Sequence, residues 1–297
     1  MYSKSGEDYR INSRFLQIAE ISYEKCRRGR GGCVCILIMK REYGMEKHLK
    51  REKEHTTEYV LKKAVCFRAG EFSKEEKYIV PEEKYDLYLN GEMIHTFFCS
   101  PWYLEDLAYG FLYLEGYILK SEQIKEICVK QQEHRIEVIA AKECEMQKQD
   151  TEKEGKKAEE KKISPEEIMS LAAALDERSH RFRLTGGVHS TALAKDGEIL
   201  LMREDVGRHN AVEKLLGACI REQLDTADKT IVFSGRVAAE ILEKAVAIGA
   251  PTLIAVSAPT SRAVELAEEK GILLVGFARG ESFNVYTFPE RVTIFPH

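Results

Sequence analysis

The sequence predicts an α/β protein whose main sheet is covered by helices on both faces. Two observations lead to this class: short apolar runs typical of buried strands recur through the second half, and an amphipathic helical segment separates each run from the next. Such strands pair mostly in parallel. With 297 residues, the chain can form one large domain or two smaller ones.

The first part of the chain, residues 1–75, is polar, mixed in charge and only weakly periodic. It predicts a poorly patterned extension, to which the sequence assigns no function. The sequence is also compatible with a natural start at Met45.

Residues 76–141 predict a smaller α+β domain. The stretch YDLYLNGEMIHTFF alternates around Asn90-Gly91, a dipeptide typical of two-residue hairpin turns. In SPWYLEDLAYGFLYLEGYI, Ser100 is the predicted helix cap, Pro101 the first helical residue and Gly116 the stop. CVKQQEHRIEVIAA, residues 128–141, predicts a second hairpin.

A charged stretch, KECEMQKQDTEKEGKKAEEKK, falls in residues 142–163 and predicts a flexible loop or linker. The main α/β domain then occupies residues 164–297. It starts with a helix in which Ser164 and Glu167 have the spacing of a capping box.

Within the main domain, the pattern predicts a hairpin over residues 188–205, turning at Asp196-Gly197, and strands within 229–235, 251–258 and 273–278. Helices are predicted over residues 206–220, 236–250 and 261–272.

Polar clusters follow the three predicted strands. They are Ser234-Gly235-Arg236, Ser257 to Arg262 and Phe277 to Ser282. Ligands collect beyond the carboxyl ends of parallel strands, and each cluster combines small residues with an arginine that can clamp a phosphate. Together the three loops predict an anion site.

Two further segments belong to this prediction. Thr185-Gly186-Gly187 precedes the His189 strand and can form either a tight turn or a backbone nest for oxyanions. In REDVGRHN, residues 203–210, Asp205 is the predicted helix cap, with Arg208, His209 and Asn210 in the first turn. Cations are unfavourable at that helix end unless an anionic ligand offsets the repulsion.

Several function classes lack support. The chain has no GxSxG elbow, no GxxxxGK[ST] loop and no CxxC for a zinc deaminase. A net charge of −4 without a basic stripe gives no argument for nucleic acid or an anionic membrane surface. The longest apolar run, Cys33 to Met39, is far shorter than the roughly 20 residues of a membrane span. Eight scattered cysteines indicate a reducing cytoplasm, with Cys99, Cys128 and Cys219 expected to be buried.

The segments TGGVHSTAL, REDVGRHNAVEKLLG, FSGRVAAEILEKAVAIGAPTLIAVSAPTSRAVELAEEKGI and VGFARGESFNVYTFPERV closely resemble the FdhD/NarQ family, accessory sulfurtransferases of formate dehydrogenase. LYLNGE and EDLAYGFLYLEGYI are similar to its N-terminal part. The resemblance runs from about Glu82 to Val292, without the charged stretch.

This resemblance implies a cytidine-deaminase-like three-layer α/β domain without zinc, preceded by a smaller β-rich domain. It implies a carrier that accepts sulfur from a cysteine desulfurase and passes it to the bis-guanine-dinucleotide form of the molybdenum cofactor, which is then inserted into a formate dehydrogenase. It is also compatible with a homodimer. The residues expected to bind the cofactor are Thr185, Gly186, Gly187, His189, Asp205, Arg208, His209, Ser234, Gly235, Arg236, Arg262, Phe277, Ala278, Arg279, Gly280, Glu281 and Ser282.

One departure from the family concerns the sulfur-bearing cysteine. Many members carry it in a CGxCG or TSGCG loop, whereas this chain has AKECEMQKQD in that region. Cys144 is therefore the candidate persulfide carrier. The alternative hypothesis is a chaperone that binds the cofactor without transferring sulfur.

Overall fold

The computed structural model describes residues 58–141 and 162–293, which contain three sheets. The first is a hairpin of β1 (Val60–Arg68) and β2 (Glu71–Ile79), joined at Ala69 and Gly70, both with positive φ. This hairpin lies largely inside the stretch predicted to lack a pattern. The alternation is obscured because charged residues occupy both faces of this hairpin.

The second sheet has four strands in the order β4-β3-β6-β5. They are β3 (Glu83–Leu89), β4 (Glu92–Cys99), β5 (Ile124–Lys130) and β6 (Arg135–Ala140). Both predicted hairpins are confirmed, and Asn90 and Gly91 have the positive φ values that the turn requires. The parallel pairing of β3 with β6 joins the two hairpins into one sheet.

Helix α1 (Leu104–Leu114) covers this sheet, with Leu104, Leu107 and Leu112 in the shared core. The prediction that the helix begins at Ser100 is wrong. It begins after Tyr103, whose φ of 57° lies in the left-handed region. Ser100 is fully buried and bonded to residues far along the chain instead.

The third sheet has six strands in the order β12-β11-β10-β9-β7-β8. They are β7 (His189–Lys195), β8 (Glu198–Asp205), β9 (Thr230–Phe233), β10 (Thr252–Ala255), β11 (Leu273–Arg279) and β12 (Ser282–Val285). Only the β9–β10 and β10–β11 pairings are parallel. The prediction of a mostly parallel sheet is therefore wrong, because a hairpin is added at each edge.

Helices cover both faces of this sheet, as predicted. Helix α2 (Pro165–Arg178) packs on one face together with residues such as Val232 and Ile254. The opposite face is covered by α4 (Arg208–Arg221), α5 (Ala239–Ile248) and α6 (Ser261–Lys270). These helices share a core with Ile231 and Leu253, the residues next to Val232 and Ile254 in the sequence. The alternation of buried strand residues thus divides them between two helical layers.

The predicted cap of α2 is confirmed, since the Ser164 hydroxyl accepts a hydrogen bond from the Glu167 amide at 3.1 Å. A short helix, α3 (His180–Thr185), follows α2. None of the helices in the described ranges is long and apolar enough to cross a membrane.

Two glycines allow the backbones of helices α1 and α4 to come into direct contact. A Cβ atom on Gly217 would lie 1.8 Å from the Asp106 carbonyl oxygen, and one on Gly110 would lie 2.1 Å from that of Glu213. The four-stranded and six-stranded sheets are joined through this helix pair. The proposed domain division around residues 142–163 stays a prediction, and residues 142–161 lie outside the described ranges.

Candidate anion-binding site

One edge of the six-stranded sheet collects the segments singled out in the sequence. The parallel strands β9, β10 and β11 end there, and the antiparallel pairings make β7 and β12 begin there and β8 end there. Neighbouring strands lie only about 4.8 Å apart, so these segments are close in space. The sequence-predicted residues around this edge are Thr185 to Gly187, His189, Asp205, Arg208, His209, Ser234 to Arg236, Arg262 and Phe277 to Ser282.

The three polar loops are hydrogen-bonded to one another through their backbones. The Val237 amide donates to the Ala258 carbonyl at 3.1 Å, and the Thr260 amide donates to the Val237 carbonyl at 2.9 Å. The third loop is attached by the Phe277 amide, which donates to the Ser257 carbonyl at 3.2 Å. The loops therefore form one continuous rim.

The loop after β9 lies directly against His189. Ser234 exchanges two hydrogen bonds with Ser190: its amide donates to the Ser190 carbonyl, and its hydroxyl accepts from the Ser190 amide. A Cβ atom on Gly235 would lie 2.6 Å from the Phe233 ring and 3.2 Å from Nδ1 of His189. Glycine at position 235 thus permits the close approach of this loop to the histidine.

Asp205 does not cap α4. The cap position is Gly207, and the Asp205 carboxylate is fully buried beneath it. Its Oδ1 accepts hydrogen bonds from the Gly207 amide at 2.7 Å and from Nδ2 of Asn210 at 3.0 Å. Its Oδ2 accepts from the Ser100 amide and from Nζ of Lys214. Asp205 therefore anchors the start of the helix through four protein partners, and its predicted contact with a ligand stays a prediction.

Arg203 and Glu204, which precede it, are also buried in ion pairs. Nε of Arg203 lies 2.6 Å from Oδ2 of Asp106, and Oε2 of Glu204 lies 2.8 Å from Nη1 of Arg181. The dense REDVGRHN stretch therefore has two parts. The acids and the first arginine hold secondary-structure elements together, whereas Arg208 and His209 remain partly exposed at the start of α4.

Positive charge accumulates around this helix start. Burial and the nearby Arg208 and Arg236 lower the pKa of His189. Burial, Lys244 and Arg208 lower the pKa of His209, although Oε2 of Glu240 lies 3.6 Å from its Nε2. No described carboxylate forms an ion pair with Arg208, Arg236 or Arg279. The local positive charge adds to the positive end of the α4 dipole, so an anion would be favourable here.

The predicted arginines differ in availability. Arg262 forms ion pairs with Glu265 and Glu269 of its own helix at 3.0 and 3.2 Å. Arg279 is exposed next to the β11–β12 turn, with its guanidinium carbon 5.9 Å from the centre of the Phe277 ring. Arg236 is likewise exposed. Arg262 is thus engaged already, while Arg236 and Arg279 are free to reach a ligand.

The Thr185-Gly186-Gly187 segment forms the end of α3. Gly186 has a φ of 68°, as helix-terminating glycines commonly do. The Gly187 amide donates to Oγ1 of Thr185 at 3.1 Å. The Gly186 amide donates to the Phe182 carbonyl at 2.6 Å, so both glycine amides are used within the turn. An oxyanion nest at this position stays a prediction.

The described cysteines offer no activated thiol at this edge. Burial raises the pKa of Cys99 and of Cys219 to about 12, as suits small core residues. The expectation of burial is wrong for Cys128, which is exposed on β5 because its side of the strand faces away from the core. Cys144 lies outside the described residues. Within the described ranges, no three His, Cys, Asp or Glu side chains are grouped to hold a metal ion.

Sequence reasoning did not identify the residues that hydrogen-bond to Asp205 and fix the start of α4, namely Ser100, Asn210 and Lys214. Ser100 was interpreted as a helix cap, and Lys214 is indistinguishable by local pattern from a surface lysine. Only Asn210 carried a signal, since it ends the REDVGRHN stretch.

The fold and the rim define a class: a mixed α/β protein with a positively charged site at the carboxyl ends of its parallel strands. The profile of the FdhD/NarQ family matches residues 80–293, which is most of the chain. The chain therefore belongs to the FdhD/NarQ family, and the resemblance noted in the sequence is confirmed.

Curated relatives and a solved structure agree with this assignment. The sulfur carrier protein FdhD of Shouchella clausii is 38% identical over 252 residues, covering 77% of this chain and 94% of the relative. That of Bacillus subtilis is 39% identical over 247 residues, covering 76% and 94%. The crystal structure of a formate dehydrogenase accessory protein from Desulfotalea psychrophila has a TM-score of 0.67 at 29% identity, covering 79% of this chain and 99% of that one.

Proposed function

We propose that this protein is a sulfur carrier that serves a formate dehydrogenase and binds the bis-guanine-dinucleotide molybdenum cofactor as its cargo at the sheet edge. The observation that carries the cargo site is the set of arginines without a described carboxylate partner, Arg208, Arg236 and Arg279, placed along one edge of the six-stranded sheet. Guanidinium groups of this kind bind phosphates through charge-assisted bidentate hydrogen bonds.

The residues present fit the phosphate groups of such a cargo. Arg208 and His209 lie in the first turn of α4, where backbone amides also point outward. Gly235 allows the loop after β9 to lie close to Phe233 and His189, and Arg236 follows it at the rim. The cargo supplies the metal chemistry of the dehydrogenase, while this chain supplies binding and orientation.

Sulfur transfer would proceed through Cys144. Its thiolate attacks the terminal sulfur of the persulfide on a cysteine desulfurase, so that a new S–S bond forms on Cys144 as the donor S–S bond breaks. The desulfurase cysteine leaves as a thiolate, and no net oxidation occurs. Cys99 and Cys219 are unsuited to this step because burial keeps both thiols protonated.

Binding is tested by titrating the full-length protein with GDP in a calorimeter. We expect saturable binding that is lost in the Arg208→Ala, Arg236→Ala double variant. Binding should persist in Arg68→Ala, which removes an exposed arginine on the separate β1–β2 hairpin. No heat at millimolar nucleotide would reject the cargo site.

A second candidate function is a chaperone that holds the cofactor without transferring sulfur, because this chain lacks the glycine-flanked cysteine loop of many relatives. If the protein is a carrier, mass spectrometry after incubation with a desulfurase and cysteine should show a gain of one sulfur atom on wild type and none on Cys144→Ser. Formate dehydrogenase activity in cells lacking their own accessory protein then decides. Full rescue by Cys144→Ser supports the chaperone, and rescue by wild type alone supports the carrier.

The proposed partners are thus a cysteine desulfurase as donor and the catalytic subunit of a formate dehydrogenase as recipient, both met in the cytoplasm. A homodimer is part of the same proposal. Light scattering of the purified protein tests it directly.

A further inference from the structure

The turn between β8 and α4 is held by a segment from the other sheet. This segment, Phe98 to Ser100, lies at the end of β4. The Ser100 hydroxyl accepts a hydrogen bond from the Val206 amide at 3.0 Å, and the Ser100 amide donates to Oδ2 of Asp205 at 3.0 Å. The four-stranded sheet thus contributes directly to the geometry of the α4 start.

Asn210 completes this attachment from within the helix. Its Nδ2 donates to the Phe98 carbonyl at 2.9 Å and to Oδ1 of Asp205 at 3.0 Å. The residue lies in the first turn of α4, directly after His209 and two residues after Arg208. The helix has no side-chain cap at Gly207, so the Asp205–Asn210 contact stabilises a helix start that is otherwise weakly defined.

We infer that Asn210 is a positioning residue that holds Arg208 and His209 in the orientation that receives the anionic ligand. The inference rests on the proposed cargo site. An amide nitrogen carries two hydrogens, and both are directed to protein oxygens here. The remaining amide oxygen accepts hydrogen bonds and gives no attraction to a phosphate. Any effect of Asn210 on affinity must therefore act through its neighbours.

Asp205 is the second member of the arrangement. It is fully buried and bonded simultaneously to Ser100, Gly207, Asn210 and Lys214. Because its removal would leave Lys214 charged and unpaired, variants of Asp205 mix stability with positioning. Asn210 is partly exposed and is the better residue to change.

The test is a double-mutant cycle on GDP affinity, using Asn210→Ala, Arg208→Ala and the double variant. We expect Asn210→Ala to weaken binding about tenfold, equivalent to one misplaced charge-assisted contact. Arg208→Ala should then cost much less in the Asn210→Ala background than in wild type, because a misplaced arginine has little contact left to lose.

Asn90→Ala is the matched control. It also removes an asparagine bond to backbone, Oδ1 to the Ala140 amide, but at the opposite end of the β3–β4 hairpin from Ser100. It should lower the melting temperature without changing GDP affinity. Ser100→Ala, which removes the acceptor of the Val206 amide, provides an independent route to the same turn and should also weaken binding.

The outcomes separate the two ideas. Absence of GDP binding to wild type rejects the proposed function and this inference with it. If wild type binds and Arg208→Ala weakens binding, then additive effects in the cycle reject the positioning role alone. Unchanged affinity in a folded Asn210→Ala variant rejects it as well.

Discussion

Nζ of Lys214 lies 2.5 Å from Oδ2 of Asp205, and both side chains are completely shielded from solvent. Lys214 also donates to the Ser100 carbonyl at 3.0 Å, so the ammonium group has two oxygen partners inside the protein. A charged pair in this position is tolerated because each partner satisfies the other. It connects α4, β8 and the end of β4 at a single point.

We therefore expect Lys214→Met to be strongly destabilising. The substitution leaves the Asp205 carboxylate buried without its cation, at a cost of about 3 to 5 kcal/mol in the free energy of unfolding. Urea unfolding measures this cost. Lys195→Met removes an exposed lysine paired with Asp228 and should change stability little. Equal stabilities of the two variants would contradict the anchoring role.

The crossing of α1 and α4 makes Gly217 sterically necessary. In a helix interior, alanine is normally more stable than glycine by about 1 kcal/mol. At position 217, however, the alanine Cβ would lie 1.8 Å from the Asp106 carbonyl oxygen. The helices must separate, and we expect a net loss of about 1 to 3 kcal/mol in Gly217→Ala. Gly110→Ala tests the same contact from α1. A stabilised Gly217→Ala would show that the helices cross farther apart.

Stability should fall in mild acid. Burial lowers the pKa of His95, His189 and His209 below the ordinary value of 6.5. Below that value the unfolded chain binds more protons at these residues, so their contribution is complete above pH 6.5 and is lost as the pH falls through the folded values. The melting temperature should decrease from about pH 7.5 to about pH 5.5.

The variant His189→Gln identifies the source of this decrease. It should lose less stability than wild type over the same pH interval, because one group no longer takes up a proton on unfolding. An identical pH dependence in the two proteins would exclude His189 as a contributor.

Nucleotide binding should distinguish two arginines on the same rim. Arg279→Ala should weaken GDP binding by about 1.5 to 3 kcal/mol if its guanidinium meets a phosphate. Arg262→Ala should have a much smaller effect, since Arg262 is engaged by Glu265 and Glu269. Calorimetric titration of both variants provides the comparison. A larger effect at position 262 would reverse this ranking.

Local pattern was sufficient to predict much of the fold. The turn at Asn90-Gly91, the cap at Ser164 and the succession of β9, β10 and β11 with their helices all depend on neighbouring residues. The convergence of the three loops also followed, because strand direction alone brings their ends together. These features were predicted correctly.

Features set by distant contacts were not predicted. Ser100 has the sequence context of a helix cap, but its polar groups bond to Asp205, Val206 and Lys214, more than a hundred residues away. The engagement of Arg262 by its own helix was visible in the spacing to Glu265 and Glu269. The burial of Asp205 was not, because its carboxylate depends on the Ser100 amide, 105 residues away, as well as on Lys214.

Because α1 packs closely on α4, we expect the four-stranded and six-stranded sheets to unfold together. Separating the two sheets would expose a glycine-lined helix face and the buried charges of Asp106 and Asp205 to water. The described ranges should consequently melt in one calorimetric transition. Two polypeptides severed between Ala141 and Lys162 should reassociate by fragment complementation, since each would retain one helix of the pair.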